Sequence, residues 1–160
     1  MVDPLTPAQR SAHMAKIRST NTRPELIVRS LLHSLGYRFR IHWDAAPGRP
    51  DLAFPPRRKL VYVHGCFWHH HQGCRIAHVP KSRSEYWQAR FAVNQARDAH
   101  HLVRAQAEGW DTLVVWECEV KDRMGLAAHL QSFLGPTKAG RPQKRPSTDS
   151  NSGLSHGHQL

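Results

Sequence analysis

Acidic residues are scarce in this chain: 12 Asp and Glu face 23 Lys and Arg, leaving a formal charge of +11 over 160 residues and a pI near 10.4. A surface that basic points to a polyanionic partner, nucleic acid or anionic lipid. Long apolar runs are missing as well; nothing approaches the roughly 18 residues needed to span a bilayer, so no membrane partner of that kind is expected. The opening MVDPLTPAQRS has no apolar core of a secretory signal. Cysteine is limited to three residues, an odd number that argues against a disulfide framework and for a reducing compartment. No internal repeat is present. The expectation is a small basic cytoplasmic protein with one domain.

Histidine, by contrast, is abundant at 13 residues. The chain also changes character at Pro136. From there it reads PTKAGRPQKRPSTDSNSGLSHGHQL, rich in Pro, Gly, Ser and basic residues and without periodicity. Such a segment buries too little apolar surface to offset its ordering entropy, so 136–160 is expected to be a disordered basic tail. It accounts for +3 of the charge, leaving +8 on residues 1–135. The basicity therefore belongs to the folded domain.

Within 1–135 the pattern predicts α-α-β-β-β-α-β-α. Residues 7–19 read as a short basic helix within an N-terminal segment 1–20, with Met14 and Ile17 on one face. Thr22 is a suitable N-cap, with Pro24 and Glu25 in the first turn, for a helix to Leu35 ended by Gly36. Its expected stripe is Leu26, Ile27, Ser30, Leu31 and Ser34/Leu35. Tyr37–Trp43 alternates like a strand, and Asp51–Phe54 and Leu60–His64 are short strands around the turn PPRRK. Ser84–Ala107 is a long helix whose Trp87, Phe91, Val93/Asn94, Asp98, Leu102 and Ala105 share or border one face. Thr112–Trp116 (TLVVW) suits a central strand, and Gly125–Leu134 a last helix. The order implies an α/β domain with a mixed sheet and helices on both faces.

Residues 64–74, HGCFWHHHQGC, hold four of the histidines and two of the cysteines; the third, Cys118, ends the TLVVW strand. Three thiolates plus an imidazole form a closed tetrahedral set of the kind Zn²⁺ selects. Cys66, Cys74 and Cys118 are the natural ligands, with His71 chosen for its tight loop to Cys74. That zinc would be structural. His64, His69 and His70 then remain in a pinned loop, where an imidazole can move protons at neutral pH.

A carboxylate belongs nearby. Antiparallel pairing of the two short strands brings Asp51 beside Val63 and His64 at one sheet edge. A carboxylate and a main-chain carbonyl oxygen are hard ligands suited to Mg²⁺. Glu25 and Asp98 are the other acids able to face inward. Phe67 and Trp68 lie in the same loop, and Met14 and Ile17 sit on a basic helix with little apolar surface. Apolar side chains beside Lys and Arg are how proteins enter and unstack base steps.

Taken together, SAHMAKIRSTNTRPE (11–25), PGRPD (47–51), VHGCFWHHH (63–71), SEYW (84–87), the Asn94–Asp98 region and GWDTLVVWEC (109–118) resemble the very short patch repair (Vsr) endonucleases, over residues 10–120. The resemblance implies a restriction-endonuclease-like, modified PD-(D/E)xK core. Pro50–Asp51 stands for PD, while Val63 and His64 replace the second acid and the lysine. It implies Asp51 and the Val63 main-chain oxygen as Mg²⁺ ligands, and His69 as the catalytic histidine oriented by Asp98. Glu25 and His64 would support solvent and phosphate. Phe67, Trp68 and Trp87 would wedge the major groove, and Met14 with Ile17 the minor groove. Cys66, His71, Cys74 and Cys118 match the zinc ligands. One departure is that HHHQGC has an extra residue before the second cysteine, which favours His71 over His70 or Gln72. The implied reaction is a nick 5′ to the T of a T·G mismatch in double-stranded DNA, made by a monomer and linked to a cytosine-5 methyltransferase. The rivals are a non-catalytic zinc-stabilised DNA-binding module and a nuclease of the same fold with another target.

Overall fold

The computed structural model describes residues 5–15, 17 and 19–137. The elements follow the expected order: α1 (Pro7–Ala15), α2 (Arg23–Ser34), β1 (Arg40–Ile41), β2 (Leu52–Phe54), β3 (Lys59–His64), α3 (Ser84–Ala107), β4 (Asp111–Trp116) and α4 (Arg123–Leu134). The four strands form one mixed sheet in the order β1-β2-β3-β4. β2 and β3 pair antiparallel, with Leu52 opposite Val61, and β3 and β4 pair parallel, with Val63 opposite Val115. A parallel pair needs a long crossover, and the loop after His64 together with α3 supplies it.

Alternation along the strands splits the core in two. Leu52, Phe54, Val61 and Val63 pack with Val28 and Leu32 of α2 and Leu126, Leu130 and Leu134 of α4. Ala53, Leu60 and Tyr62 face the other way, toward Ala105 and Leu102 of α3 and the Trp43–Trp110 pair. Helices therefore cover both faces, as the pattern implied.

Several expectations need correction. β1 is confined to Arg40–Ile41 instead of running from 37 to 43. His42 has φ 43°, which ends the ladder, and Tyr37 leaves the strand line to pack in the core with its hydroxyl donating to the Gly135 carbonyl at 2.6 Å. On α2, Ile27, Leu31 and Leu35 pack against the core as expected, but the buried centre of the stripe is Val28 and Leu32, and Leu26 is 48% exposed. On α3, Val93 is 66% exposed and belongs to the outer surface. β4 is an edge strand among the described residues, not a central one. Its apolar run is explained by cover from α3 and from a 3-10 turn at Glu117–Lys121 that the sequence did not reveal. α4 begins at Arg123, two residues early, because the Asp122 side chain caps the Gly125 amide. α1 stops at Ala15, short of 19, and Ile17 follows it in a bend. The tail expected from 136 falls, beyond Thr137, outside the described residues.

Candidate active site and metal-ligand cluster

The Asp51 end of the sheet is built by a constrained turn. Gly48 and Arg49 take φ values of 72° and 48° just before Pro50. The His101 ring lies so close to Gly48 that an added Cβ would meet it at 2.6 Å, so only glycine fits there. The Tyr62 hydroxyl donates to the Pro47 carbonyl at 2.7 Å and fastens the same turn to β3. One residue ahead of the Leu52–Val61 pair, Asp51 Oδ2 accepts the Val63 N–H at 2.7 Å. Burial, and then the nearby Glu25 charge, push the Asp51 carboxyl up to about 6 against the opposing pull of Val63 N–H, His42 and Arg29.

Glu25, only 3% exposed, sits beside it at the start of α2. Thr22 Oγ1 caps the Glu25 amide and also donates to Glu25 Oε1 at 3.1 Å. Glu25 Oε2 receives the Asn21 N–H at 2.9 Å and Arg29 at 3.1 Å, with His42 Nε2 at 3.3 Å. Glu25, His42 and Asp51 can each offer a ligand atom within 4.8 Å of the others. His42 was missed by sequence reasoning because it lies at the end of a strand with no motif around it.

The second group comprises His64, His69 and Asp98. His69 Nδ1 lies 2.5 Å from Asp98 Oδ2. Burial raises the Asp98 carboxyl, yet the hydrogen bond and charge of His69, followed by His64 and Arg97, outweigh it and hold Asp98 below its ordinary value. Against an ionised Asp98, Nδ1 is the donor, which leaves Nε2 of His69 as an acceptor. His64, 8% exposed, stacks on His69 with 3.9 Å between centroids and 6° between planes. Burial first, and the His69 charge second, lower His64 to about 4. The loop is tied to α3 by Asn94, whose side-chain amide donates to the Trp68 carbonyl at 2.8 Å, and by Gln95, which donates to that of His70 at 3.3 Å.

The structure brings Cys66, His71, Cys74 and Cys118 together, their donor atoms within 4.8 Å of one another. His71 Nδ1 is 3.6 Å from Cys66 Sγ and 3.5 Å from Cys118 Sγ. A tetrahedral centre with ordinary Zn–S and Zn–N lengths has N···S edges of about 3.6 Å, so the donor set and its spacing suit such an ion. Gly73, with φ 75°, turns the chain so that the Cys74 amide reaches the His71 carbonyl at 3.2 Å. The His71 ring is held flat on Trp116, 4.1 Å away. Burial raises the Cys66 thiol to about 12 and also raises Cys118, while the Ile76 amide lowers Cys74.

Phe67 joins these groups to an aromatic cluster. It meets Trp68 edge to face at 5.1 Å, Trp87 at 5.3 Å and Phe91 at 5.2 Å. A cleft of about 870 Å³ is lined by Met14, Ile17, Phe67 and Trp68 together with Glu25, Asp51, His64, His69 and Asp98. Trp87 backs the cluster without lining the cleft. Glu117 and His101 also line it; neither carries a sequence signal of its own. Glu117 accepts the Cys66 amide at 3.1 Å, connecting the cysteine group to the cleft.

Comparison with known proteins places this geometry in context. The family model described as DNA mismatch endonuclease Vsr matches residues 2–75. The chain is 52% identical over 137 residues to the type II nicking enzyme V.XorIIP of Xanthomonas oryzae pv. oryzae, covering 86% of this chain and 100% of that one. It is 39% identical to the DNA mismatch endonuclease Vsr of Escherichia coli K12, over 79% of this chain and 80% of the relative. It is 37% identical to the type II nicking enzyme V.NmeAIP of Neisseria meningitidis, over 77% and 87%.

Proposed function

The chain belongs to the Vsr family of DNA endonucleases, and from that premise we propose that it nicks one strand of duplex DNA 5′ to the T of a T·G mismatch, using Mg²⁺. The observation that carries the reading is the shared cleft: the His69–Asp98 pair and the Asp51 carboxylate open into the space that Met14, Ile17, Phe67 and Trp68 border.

A T·G pair arises when 5-methylcytosine deaminates opposite G. Thymine is a normal base, so recognition depends on the wobble pair being easier to open than a Watson–Crick pair. Met14, Ile17, Phe67 and Trp68, which line the cleft, would enter and separate the stack around it. His69 Nε2 then accepts a proton from the attacking water as its oxygen bonds to phosphorus and the ester P–O bond breaks. Asp98 fixes the tautomer and stabilises the imidazolium, and the neutral His64 keeps the ring in plane. Asp51 and the Val63 carbonyl oxygen would hold Mg²⁺, with Glu25 and His42 beside it. When bound, that ion supplies positive charge to offset charge developing on the phosphate and the leaving oxygen.

We read the mixed α/β core as a modified PD-(D/E)xK plan in which Asp51 is retained and Val63 and His64 stand in place of the acid and lysine. Cys66, His71, Cys74 and Cys118 would hold a structural Zn²⁺ that fixes the 66–71 loop and hence His69. One such site per monomer suits a single-strand cut, and the function implies a cytosine-5 methyltransferase acting on the same sequence.

A second reading is a nickase with another target, favoured by the names of the nicking-enzyme relatives. Incubating the protein and Mg²⁺ with T·G, other mismatched and fully matched duplexes separates the two. Selective nicking of T·G supports the proposal; equal cutting of matched duplex refutes it.

A further inference from the structure

Beyond the reacting groups, α3 carries arginine at a seven-residue interval: Arg90, Arg97 and Arg104. Seven residues turn a helix to within about 20° of two full turns, so these side chains form one stripe. The stripe is exposed, and it borders the face on which Asn94, Asp98 and Ala105 turn inward. Arg90 and Arg97 reach the cleft itself, and Arg49 stands on its lining too.

Their partners differ. Arg104 pairs with Glu108 at 3.3 Å, and Arg49 with Asp44 at 3.1 Å. Arg97 comes only within 4.0 Å of Asp98, whose other oxygen is committed to His69, and it stays 54% exposed. Among the described residues, no hydrogen bond or ion pair engages Arg90. Two under-used guanidinium groups beside a site for phosphodiester chemistry are suited to phosphate, which they can hold in bidentate fashion. The interval between them is about 10.5 Å along the helix, so the two side chains reach separate phosphates.

We propose that Arg90 and Arg97 form a backbone clamp, gripping phosphates of the duplex that flank the cleavage position. The clamp positions DNA without reading sequence, and it rests on the endonuclease reading of the adjacent cleft. It differs from the apolar wedges in chemistry: its strength depends on salt and not on whether the pair is mismatched.

The test uses the full-length zinc-loaded protein in Mg²⁺-free buffer, with binding to labelled T·G and matched T·A duplexes measured across salt concentrations. Arg90→Ala and Arg97→Ala should each weaken binding several-fold, equally on both duplexes, and reduce the slope of log K against log salt by about 0.9. Arg90→Lys should restore the slope, and Arg123→Ala, on the helix across the sheet, should leave it unchanged. Loss of Asp98 orientation alone would slow nicking without altering the slope. Wild-type slopes in both alanine variants, or losses confined to T·G, would overturn the clamp. If wild-type protein fails to prefer or nick T·G, the proposed function fails while the slopes still decide the clamp.

Discussion

The imidazoles of His64 and His69 lie parallel, 3.9 Å apart, and only His69 has a carboxylate partner, Asp98. Two adjacent imidazolium ions would repel, and burial keeps His64 near 4; it is therefore neutral at physiological pH, and the proposed proton transfer falls to His69. His69→Ala should lower the single-turnover nicking rate by about 10²- to 10⁴-fold while changing DNA affinity little. Asp98→Asn should cost about ten- to a hundredfold, since it loosens the tautomer and leaves the base in place. Wild-type rates in His69→Ala would remove the assignment.

Asp51 has the opposite kind of signature. Its carboxyl stands at about 6 instead of 3.8, chiefly through burial. Between those values the folded chain binds the proton more tightly than the unfolded chain, so stability falls as pH rises through the window and the cost is complete above it. The difference corresponds to about 3 kcal/mol. Asp51→Asn keeps an oxygen for the Val63 N–H and removes the charge. In Mg²⁺-free buffer it should melt several degrees above wild type at pH 7.5, with the gap closing near pH 4. His64 contributes with the other sign, its stabilisation being lost as pH falls from 6.5 toward 4, but it is common to both proteins and cancels in the comparison. Added Mg²⁺ should raise the wild-type melting temperature and leave the variant unmoved.

The cysteine group makes a compositional prediction. Purified protein should contain about one zinc per chain, and Cys118→Ser should lose it and melt far lower. Burial holds Cys66 as a thiol until metal arrives, so zinc uptake by stripped protein should release protons and weaken as pH falls. A metal-free wild type that remains folded would contradict the role given to these residues.

The inward face of α2 separates pattern from packing. Leu32 is fully buried and Leu26 is 48% exposed. Leu32→Ala should destabilise by about 2–5 kcal/mol, and Leu26→Ala should stay within about 0.5 kcal/mol, both read from denaturant midpoints. Equal costs would mean the helix is rotated from its described position.

That contrast also marks how far the sequence was legible. The element order and the β2–β3 hairpin could be read because caps, turn residues and alternation are local. So could the meeting of Asp51 with Val63, which follows from antiparallel pairing across a short turn. The grouping of His71 with three cysteines was visible in donor chemistry, although Cys118 is far away in sequence. The face of α2 was only partly legible: Ile27, Leu31 and Leu35 do pack against the core, but Leu26, Ile27 and Val28 are all apolar and only the sheet beneath decides that Val28 goes in and Leu26 out. β4 looked central since covering elements, unlike neighbouring strands, leave the same apolar run. His42, His101 and Glu117 had no signal at all: tertiary packing brings His42 from the end of β1 to Glu25 and Asp51, and brings Glu117 and His101 to the cleft, His101 by filling the space above Gly48.

The central claim is that one cleft opens a T·G pair and cuts one bond beside it. Its most direct test is single-turnover cleavage of a T·G duplex labelled in turn on each strand, with Mg²⁺ present and the products sized at single-nucleotide resolution. The account predicts one product, from the T-containing strand only, ending at the bond 5′ to the mismatched T, and no product from the matched duplex. Cuts in both strands, or at a position independent of the mismatch, would contradict it.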